Sequence, residues 1–256
     1  MKKIVIVLCL FSCLHINLIS QTVYELNLKK DVAIGVASAG AAIVPFFIDN
    51  EPGSRPGMLH KNDVNGFDRP LMFSYKKTLD LFSDNSAYAL ALFPVISIIP
   101  NIKFKNTVVT YAVMYSEALL LTYGTAFSLK SAVNRYRPYM YTYGIPHGKE
   151  KDYHNSFPSG AASFSFLGAT FFSVTFWEEF PESKWKFPVL LGSHTLAAGV
   201  AAMRVLTGSH FLTDVLAGAA IGSLYGWLIP TMHLKNNNNR FVLAPAVNGL
   251  MISLRL

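Results

Sequence analysis

The chain has almost no cysteine, and what it has lies at the very start. Cys9 and Cys13 are the only two, and they fall in a stretch that opens with two lysines, continues as an apolar run and ends on the small residue Ser20. This order is typical of a secretory signal, so we expect cleavage after Ser20 and removal of residues 1–20 as a signal peptide. The mature chain would then have no cysteine, which excludes a disulfide framework.

Charged residues are also scarce. They make up 14% of the 256 residues, whereas 52% are hydrophobic and the mean hydropathy is +0.33. This balance excludes a typical soluble domain and places the chain in the membrane class. The net charge of +7 suits anionic lipids or phosphorylated substrates. No basic run alternates with aromatic residues as a nucleic-acid groove would require, so we expect a membrane and no nucleic acid as partner.

Long apolar runs determine the expected fold. Five runs of spanning or near-spanning length occupy residues 86–100, 107–129, 157–177, 187–206 and 211–230. A sixth run, 32–48, is at the short limit for crossing a bilayer. The polar segment 49–85 contains an amphipathic stretch at 69–82, which predicts an interfacial helix. We therefore expect an all-α integral membrane bundle of five to six helices, forming one domain over 21–235 with its core at 86–230.

Glycines recur every four residues in the last apolar run, at Gly218, Gly222 and Gly226. Small residues at this spacing lie on one face of a helix and let a second membrane helix approach closely. The pattern predicts a helix-packing ridge.

The tail, residues 236–256, begins with four asparagines and continues as a mixed apolar stretch. The asparagines are a low-complexity polar break. A turn at Asn248-Gly249 predicts a short β-hairpin.

The segment from Arg204 to Asp214 joins two apolar runs and carries the first candidate site residues. Ionisable groups beside runs of this length are costly to keep, so they usually mark function. Asp214 lies one helical turn after His210 and can fix its tautomer by accepting the proton of one ring nitrogen, which leaves the other as a nucleophile. Arg204 can hold phosphoryl oxygens. Taken alone, an interfacial histidine, a snorkelling arginine and a helix-capping aspartate explain the same residues equally well.

Counting membrane crossings places two more polar clusters on the same side. Lys130 and Arg137 follow the second run, and Ser159-Gly160 opens the third. Three cations, a Ser-Gly turn at a helix N-terminus and an oriented histidine together predict a phosphate site with a nucleophile. Arg135 is interpreted as a surface charge beside this site.

Three motifs therefore occur in a fixed order: Lys130-x6-Arg137-Pro138, Pro158-Ser159-Gly160, and Arg204-x5-His210-x3-Asp214. They resemble the signature of the type 2 phosphatidic acid phosphatase superfamily, which includes membrane lipid phosphatases, soluble bacterial acid phosphatases and vanadium haloperoxidases. The resemblance implies that His210 forms a phosphohistidine and that Asp214 orients it. It also implies a set of phosphate ligands: Lys130, Arg137, Ser159, Gly160 and Arg204. No metal and no cofactor are implied, because the cations replace Mg²⁺.

One position departs seriously from that signature. Ala161 stands where the family's Pro-Ser-Gly-His histidine protonates the leaving oxygen. Loss of a general acid costs on the order of 10²- to 10⁴-fold in rate when the leaving group is a poor alkoxide. Three explanations stay open: His154 supplies the proton, the substrate is a diphosphate or glycosyl phosphate that needs little protonation, or the protein binds phosphate without turnover.

The sequence thus predicts a metal-independent phosphatase acting on a membrane lipid. The candidate substrates are undecaprenyl diphosphate, lipid A, phosphatidic acid and phosphatidylglycerol phosphate, and Ala161 favours the first two. The alternatives are a non-catalytic membrane protein that binds anionic lipid and a soluble periplasmic acid phosphatase. Lysines in the loop 101–106 and basic residues in the tail favour the cytoplasmic side for both segments. If 32–48 does not span, the active face lies on the periplasmic side of a bacterial inner membrane.

Overall fold

The computed structural model describes residues 22–48, 59–95, 105–142, 144–150, 152–235, 241–246 and 249–254. The expected signal peptide, 1–20, lies outside these ranges, so its cleavage stays a prediction. The described part contains six α-helices: α1 Leu28–Ile43, α2 Lys77–Ala91, α3 Lys105–Val133, α4 Gly160–Glu179, α5 Lys186–Leu206 and α6 Leu212–Met232. Short 3₁₀ helices occur at Val44–Phe46, Lys61–Asp63, Arg69–Leu71 and Pro138–Tyr141. The predicted helical bundle is confirmed.

Three of the described helices, α4, α5 and α6, are long and apolar enough to cross a membrane. At a rise of about 1.5 Å per residue, α1 and α2 fall short of a hydrocarbon core of about 30 Å. The 29-residue α3 is long enough to span, but it carries Glu117 and several tyrosines in its middle. Of the five apolar runs, the last three, 157–177, 187–206 and 211–230, therefore correspond to described helices with a clear membrane-spanning character.

The start of the bundle differs from the expectation. The predicted interfacial helix over 69–82 is wrong, because helix α2 begins only at Lys77 and continues past residue 86 into the next apolar run. Residues 96–100 of that run lie outside the described ranges. Arg69–Leu71 forms a 3₁₀ turn, with Pro70 within its first two positions. Polar residues of α2, including Asp80, face into the protein, so the change in composition does not mark the end of an element.

The glycine ridge of α6 packs against α4, as its spacing predicts. A Cβ atom at Gly218 would overlap the carbonyl oxygen of Ser159, and one at Gly222 would overlap the carbonyl oxygen of Ser163. Backbone-to-backbone contact of this kind requires glycine, because neither carbonyl can move away. The ridge thereby fixes the start of α6 against the start of α4.

A cluster of buried polar side chains lies just after the C-terminal end of α6. His233 Nε2 is 3.1 Å from Asp31 Oδ1 of α1 and 3.5 Å from Glu117 Oε2 of α3. All three side chains are buried. The cluster links α1, α3 and the end of α6.

The tail contains the expected hairpin. Strand β1, Phe241–Ala246, pairs antiparallel with β2, Gly249–Leu254, and Ala246 lies opposite Gly249. The predicted β-hairpin is confirmed, with Gly249 as the first residue of β2 and not a turn residue.

Candidate active site

Four parts of the chain meet at one end of the bundle: the last turn of α3, the loop into α4, the last turn of α5 and the turn into α6. They border a cavity of about 280 Å³. The predicted site residues that line this cavity are Lys130, Arg137, Gly160, Arg204 and His210. Ser159 and Asp214 are fully buried beside it. Three motifs that are far apart in the sequence therefore form a single site.

His210 lies in the turn between α5 and α6. The preceding Gly208 has φ +67°, a left-handed conformation that glycine adopts without strain. The His210 ring is 2% exposed, its Nδ1 lies 2.8 Å from the carbonyl oxygen of Ser156, and its Nε2 lies 3.0 Å from Arg137 Nη1. Because a carbonyl oxygen can only accept, Nδ1 carries the proton and the lone pair is on Nε2.

The charge state of His210 follows from its surroundings. Burial, followed by the positive charges of Arg137, Arg204 and Lys130, holds the pKa of His210 well below its usual value of 6.5. The hydrogen bond to the Ser156 carbonyl acts in the opposite direction but is the smaller effect. The imidazole is therefore neutral at physiological pH, which is the form that acts as a nucleophile.

Asp214 holds the ring less directly than the sequence predicts. Its Oδ2 is 3.6 Å from His210 Nδ1, and it accepts hydrogen bonds from Ser156 Oγ at 2.5 Å and from the Phe211 N–H at 2.8 Å. The group in direct contact with the imidazole is thus the carbonyl of Ser156, and Asp214 fixes Ser156. No sequence signal identifies Ser156, because its contribution is a backbone atom positioned by the loop.

Arg135 is not a surface charge, so that interpretation is wrong. Its Nη1 lies 2.6 Å from Asp214 Oδ1 and its Nη2 lies 2.8 Å from Asp68 Oδ2, and the guanidinium stacks on the Phe211 ring at 4.0 Å. Asp68 also accepts a hydrogen bond from the N–H of Thr213 at the start of α6. Burial alone would raise the pKa of Asp68, but the hydrogen bonds from Arg135 and Thr213 outweigh it and lower the pKa. Arg135 therefore connects the polar segment before α2 to the aspartate behind His210.

We expect Arg135→Gln to destabilise the protein by about 2 to 3 kcal/mol. Both carboxylates that it pairs are fully buried, and unpairing a buried carboxylate costs about 3 to 5 kcal/mol, reduced here because Arg135 is 21% exposed. Denaturant unfolding in detergent measures the change. In an Asp68→Asn background the same substitution should cost clearly less, because one carboxylate is already neutral. If the stability losses of Arg135→Gln and Asp68→Asn simply add in the double variant, the two residues do not belong to one ion-pair network.

Lys130 and Arg137 are held by backbone carbonyls. Lys130 Nζ donates to the carbonyl oxygens of Asn155 at 2.7 Å and Pro158 at 2.9 Å. Arg137 donates to the carbonyl of Ser209 and forms an ion pair with Asp152 at 2.7 Å. Burial would lower the pKa of Arg137, but the charge of Asp152 outweighs it and raises the pKa. Both side chains are therefore held in place at the cavity, and Arg137 presents a permanent positive charge to it.

Arg204 is held by α2, a contact that the sequence does not reveal. Its Nη1 lies 2.8 Å from Asp80 Oδ1 and 2.7 Å from Asp84 Oδ1. Asp80 Oδ2 also pairs with Lys149 Nζ at 2.9 Å. Asp84, Tyr88, Lys149 and Ala161 also line the cavity. Asp80, Asp84 and Tyr88 were missed because the polar half of α2 has the composition of a surface helix.

The N-terminus of α4 forms the remaining wall. Ser159 is the N-cap residue: its Oγ accepts the N–H of Ala162, and its own N–H donates to the Asp214 carbonyl at 2.9 Å. A Cβ at Gly160 would meet nothing within 4 Å, so the wall is open here. The first N–H groups of a helix have no partner within the helix and favour anions. Ser159 is therefore positioned chiefly as a cap, whereas the Gly160 turn faces open space.

His154 does not reach this cavity. Its side chain is 4% exposed, its ring packs edge-on against Tyr153 with centroids 5.2 Å apart, and it is not among the lining residues. The predicted role of His154 as replacement acid thus gains no support from the geometry. Within the described residues, no group of three or more His, Cys, Asp or Glu side chains is arranged to hold a metal ion.

A helical bundle with candidate membrane-spanning helices and, at one end, a cavity lined by cations and a buried histidine defines a class of membrane protein with a candidate anion site. The PAP2 superfamily model matches residues 111–238, half of the chain, so the chain belongs to the PAP2 superfamily. It is 23% identical to the first transmembrane PAP2-type phosphatidylglycerolphosphate phosphatase from Bacillus subtilis whose crystal structure was solved. That match covers 82% of this chain and 99% of the other, with a TM-score of 0.48. A search of curated proteins found no match.

Proposed function

We propose that this protein is a lipid phosphatase that removes a terminal phosphate through a phosphohistidine at His210. The observation that carries the proposal is the position of Nε2. His210 lines a cavity together with Lys130, Arg137 and Arg204, and because Nδ1 is committed to the Ser156 carbonyl, the lone pair is on Nε2, where it accepts a hydrogen bond from Arg137. Membership of the PAP2 superfamily supports the same chemistry.

In the first step, His210 Nε2 attacks phosphorus, the P–N bond forms, and the bond from phosphorus to the lipid oxygen breaks. Lys130, Arg137 and Arg204 would hold the non-bridging oxygens and stabilise the charge that spreads over them in the transition state. Arg137 lies 3.0 Å from Nε2, so its guanidinium would contact the phosphoryl group as it binds. In the second step, water attacks phosphorus, the P–N bond breaks, and inorganic phosphate leaves.

The proposed substrate is a lipid monophosphate or diphosphate. A cavity of about 280 Å³ has room for a phosphorylated headgroup, whereas acyl or prenyl chains must remain outside it. Tyr88 and Phe127 contribute aromatic surface to the lining, on α2 and α3. The candidates remain undecaprenyl diphosphate, lipid A, phosphatidic acid and phosphatidylglycerol phosphate.

For its location we propose the bacterial inner membrane with the cavity on the periplasmic side. The basic residues at the helix ends away from the cavity support this orientation, since Lys105 is the first residue of α3, Lys103 precedes it in the sequence and Lys235 follows α6. Because α3 and α5 end at the cavity and α4 and α6 begin there, all helix ends of the site lie on one face.

Phosphate release from a panel of these lipids tests the function. We expect the purified protein in detergent to release phosphate from at least one of them in the presence of a chelator, because no step needs a metal. His147→Ala is a matched control, since His147 is exposed and does not line the cavity. Release from no lipid would favour the non-catalytic lipid-binding alternative, and activity confined to water-soluble phosphates would favour an acid phosphatase.

A further inference from the structure

Helix α2 places a carboxylate in the cavity that contains Ala161. Ala161 packs against a core cluster that includes Ala87 and Leu90 of α2. Asp84 lies one helical turn before Ala87, so the two share a face of α2. Asp84, Ala161 and His210 all line the same cavity. The part of the site that lacks a histidine is therefore next to an aspartate from another helix.

We propose that Asp84 is the general acid of this enzyme and supplies the proton that the histidine absent at Ala161 would give. The inference rests on the proposed function. As His210 Nε2 attacks phosphorus, the electron pair of the breaking P–O bond goes to the leaving oxygen, and the Asp84 carboxyl transfers its proton to that oxygen. In the second step the Asp84 carboxylate takes a proton from the water that attacks the phosphohistidine. The carboxyl group is thereby regenerated.

Asp84 differs from Asp80 and Asp152, which also lie near the cavity, in ways that suit it to this role. Asp80 is fully buried and contacts both Arg204 and Lys149. Burial opposes its ionisation, but the charge of Arg204 and hydrogen bonds from Ser209 and Lys149 lower its pKa to about 2. Asp152 is paired with Arg137 at 2.7 Å. These two carboxylates are committed to holding cations in place.

The Asp84 side chain is 38% exposed and lines the cavity. Burial raises its pKa above the usual aspartate value, and the negative charge of Asp80 adds to that effect against the charge of Arg204. A carboxyl group that is both accessible and easier to protonate than an ordinary aspartate can carry a proton to a substrate.

Substrate binding would favour protonation of Asp84 further. In the free protein Asp84 Oδ1 lies 2.7 Å from Arg204 Nη1. When Arg204 turns to phosphoryl oxygens, Asp84 loses that partner and gains a negatively charged neighbour. Both changes favour the protonated carboxyl group. The phosphate ligand Arg204 thus links substrate binding to protonation of the acid.

The leaving group distinguishes an acid from a merely structural residue. Asp84→Asn is expected to lower kcat/KM for phosphatidic acid on the order of 10²-fold or more, because an alkoxide leaves poorly without a proton. For p-nitrophenyl phosphate, whose leaving group needs little protonation, the loss should be below about 10-fold. Asp63→Asn is the matched control: Asp63 is exposed, does not line the cavity, and should leave both rates unchanged.

Restoring the histidine provides a second variant. Ala161→His in the Asp84→Asn background should recover part of the rate on phosphatidic acid, since it returns an acid to the position of the family motif. An equal loss on both substrates would overturn the proposal and assign Asp84 to holding Arg204, and an unchanged rate on phosphatidic acid would overturn it as well. If the unmodified protein releases phosphate from neither substrate or any other lipid phosphate, the proposed function itself fails, which is a different result.

Discussion

Replacing His210 with alanine is expected to reduce phosphate release by a factor on the order of 10⁴ or more, as for loss of a covalent nucleophile. Among the described residues that line the cavity, His210 is the sole imidazole, and its neutral form is favoured by burial and by three neighbouring cations. The cations would remain and would still bind phosphate. The measurement is the initial rate of phosphate release from the best lipid substrate, with His147→Ala as the control.

Loss of activity has to be separated from loss of folding. Unfolding in detergent should be similar for His210→Ala and the unmodified protein, and inorganic phosphate should still protect the variant against heat, because Lys130, Arg137 and Arg204 are unchanged. Retention of more than about a tenth of the rate would contradict a nucleophilic role for His210, since nucleophile removal normally costs far more.

The second large effect concerns packing. We expect Gly222→Leu to destabilise the bundle by about 3 kcal/mol or more, because a side chain there overlaps the backbone carbonyl of Ser163 and overpacking of this kind cannot be relieved by a rotamer change. The start of α6, which follows His210 directly, would shift away from α4. Activity should therefore fall together with stability.

Gly199→Leu is the matched control for this substitution. Gly199 also lies within a long apolar helix, but a Cβ atom there would meet nothing within 4 Å. Thermal unfolding in detergent and phosphate release would be measured for both variants. Similar behaviour of the two would contradict the close approach of α4 and α6.

Much of the fold could be predicted because it depends on local patterns. Apolar runs of sufficient length, separated by short polar links, predict the helices, and glycines at every fourth residue predict a ridge that is found against α4. Convergence of the three motifs follows from counting crossings, since alternate helix ends lie on the same side. Lys130, Arg137 and His210 line one cavity, which agrees with the count of membrane crossings.

The parts that could not be predicted depend on contacts between distant residues. The polar half of α2 has the composition of a surface helix, yet Asp80 is buried because Arg204 and Lys149 neutralise it there. Arg135 has no motif position, yet it bridges two buried carboxylates. Ser156 acts through its backbone carbonyl, which no side-chain pattern encodes. Pairing partners of this kind are specified by the fold and not by spacing along the chain.

The most direct test is to trap the phosphorylated protein. The purified protein would be mixed with a lipid substrate radiolabelled in its terminal phosphate, quenched in alkali within the first turnover, and digested for peptide mapping. We expect an alkali-stable, acid-labile phosphate on the peptide that contains His210, and no label in His210→Ala. Phosphate release without any phosphorylated intermediate, or with the label on a different residue, would contradict the proposed mechanism.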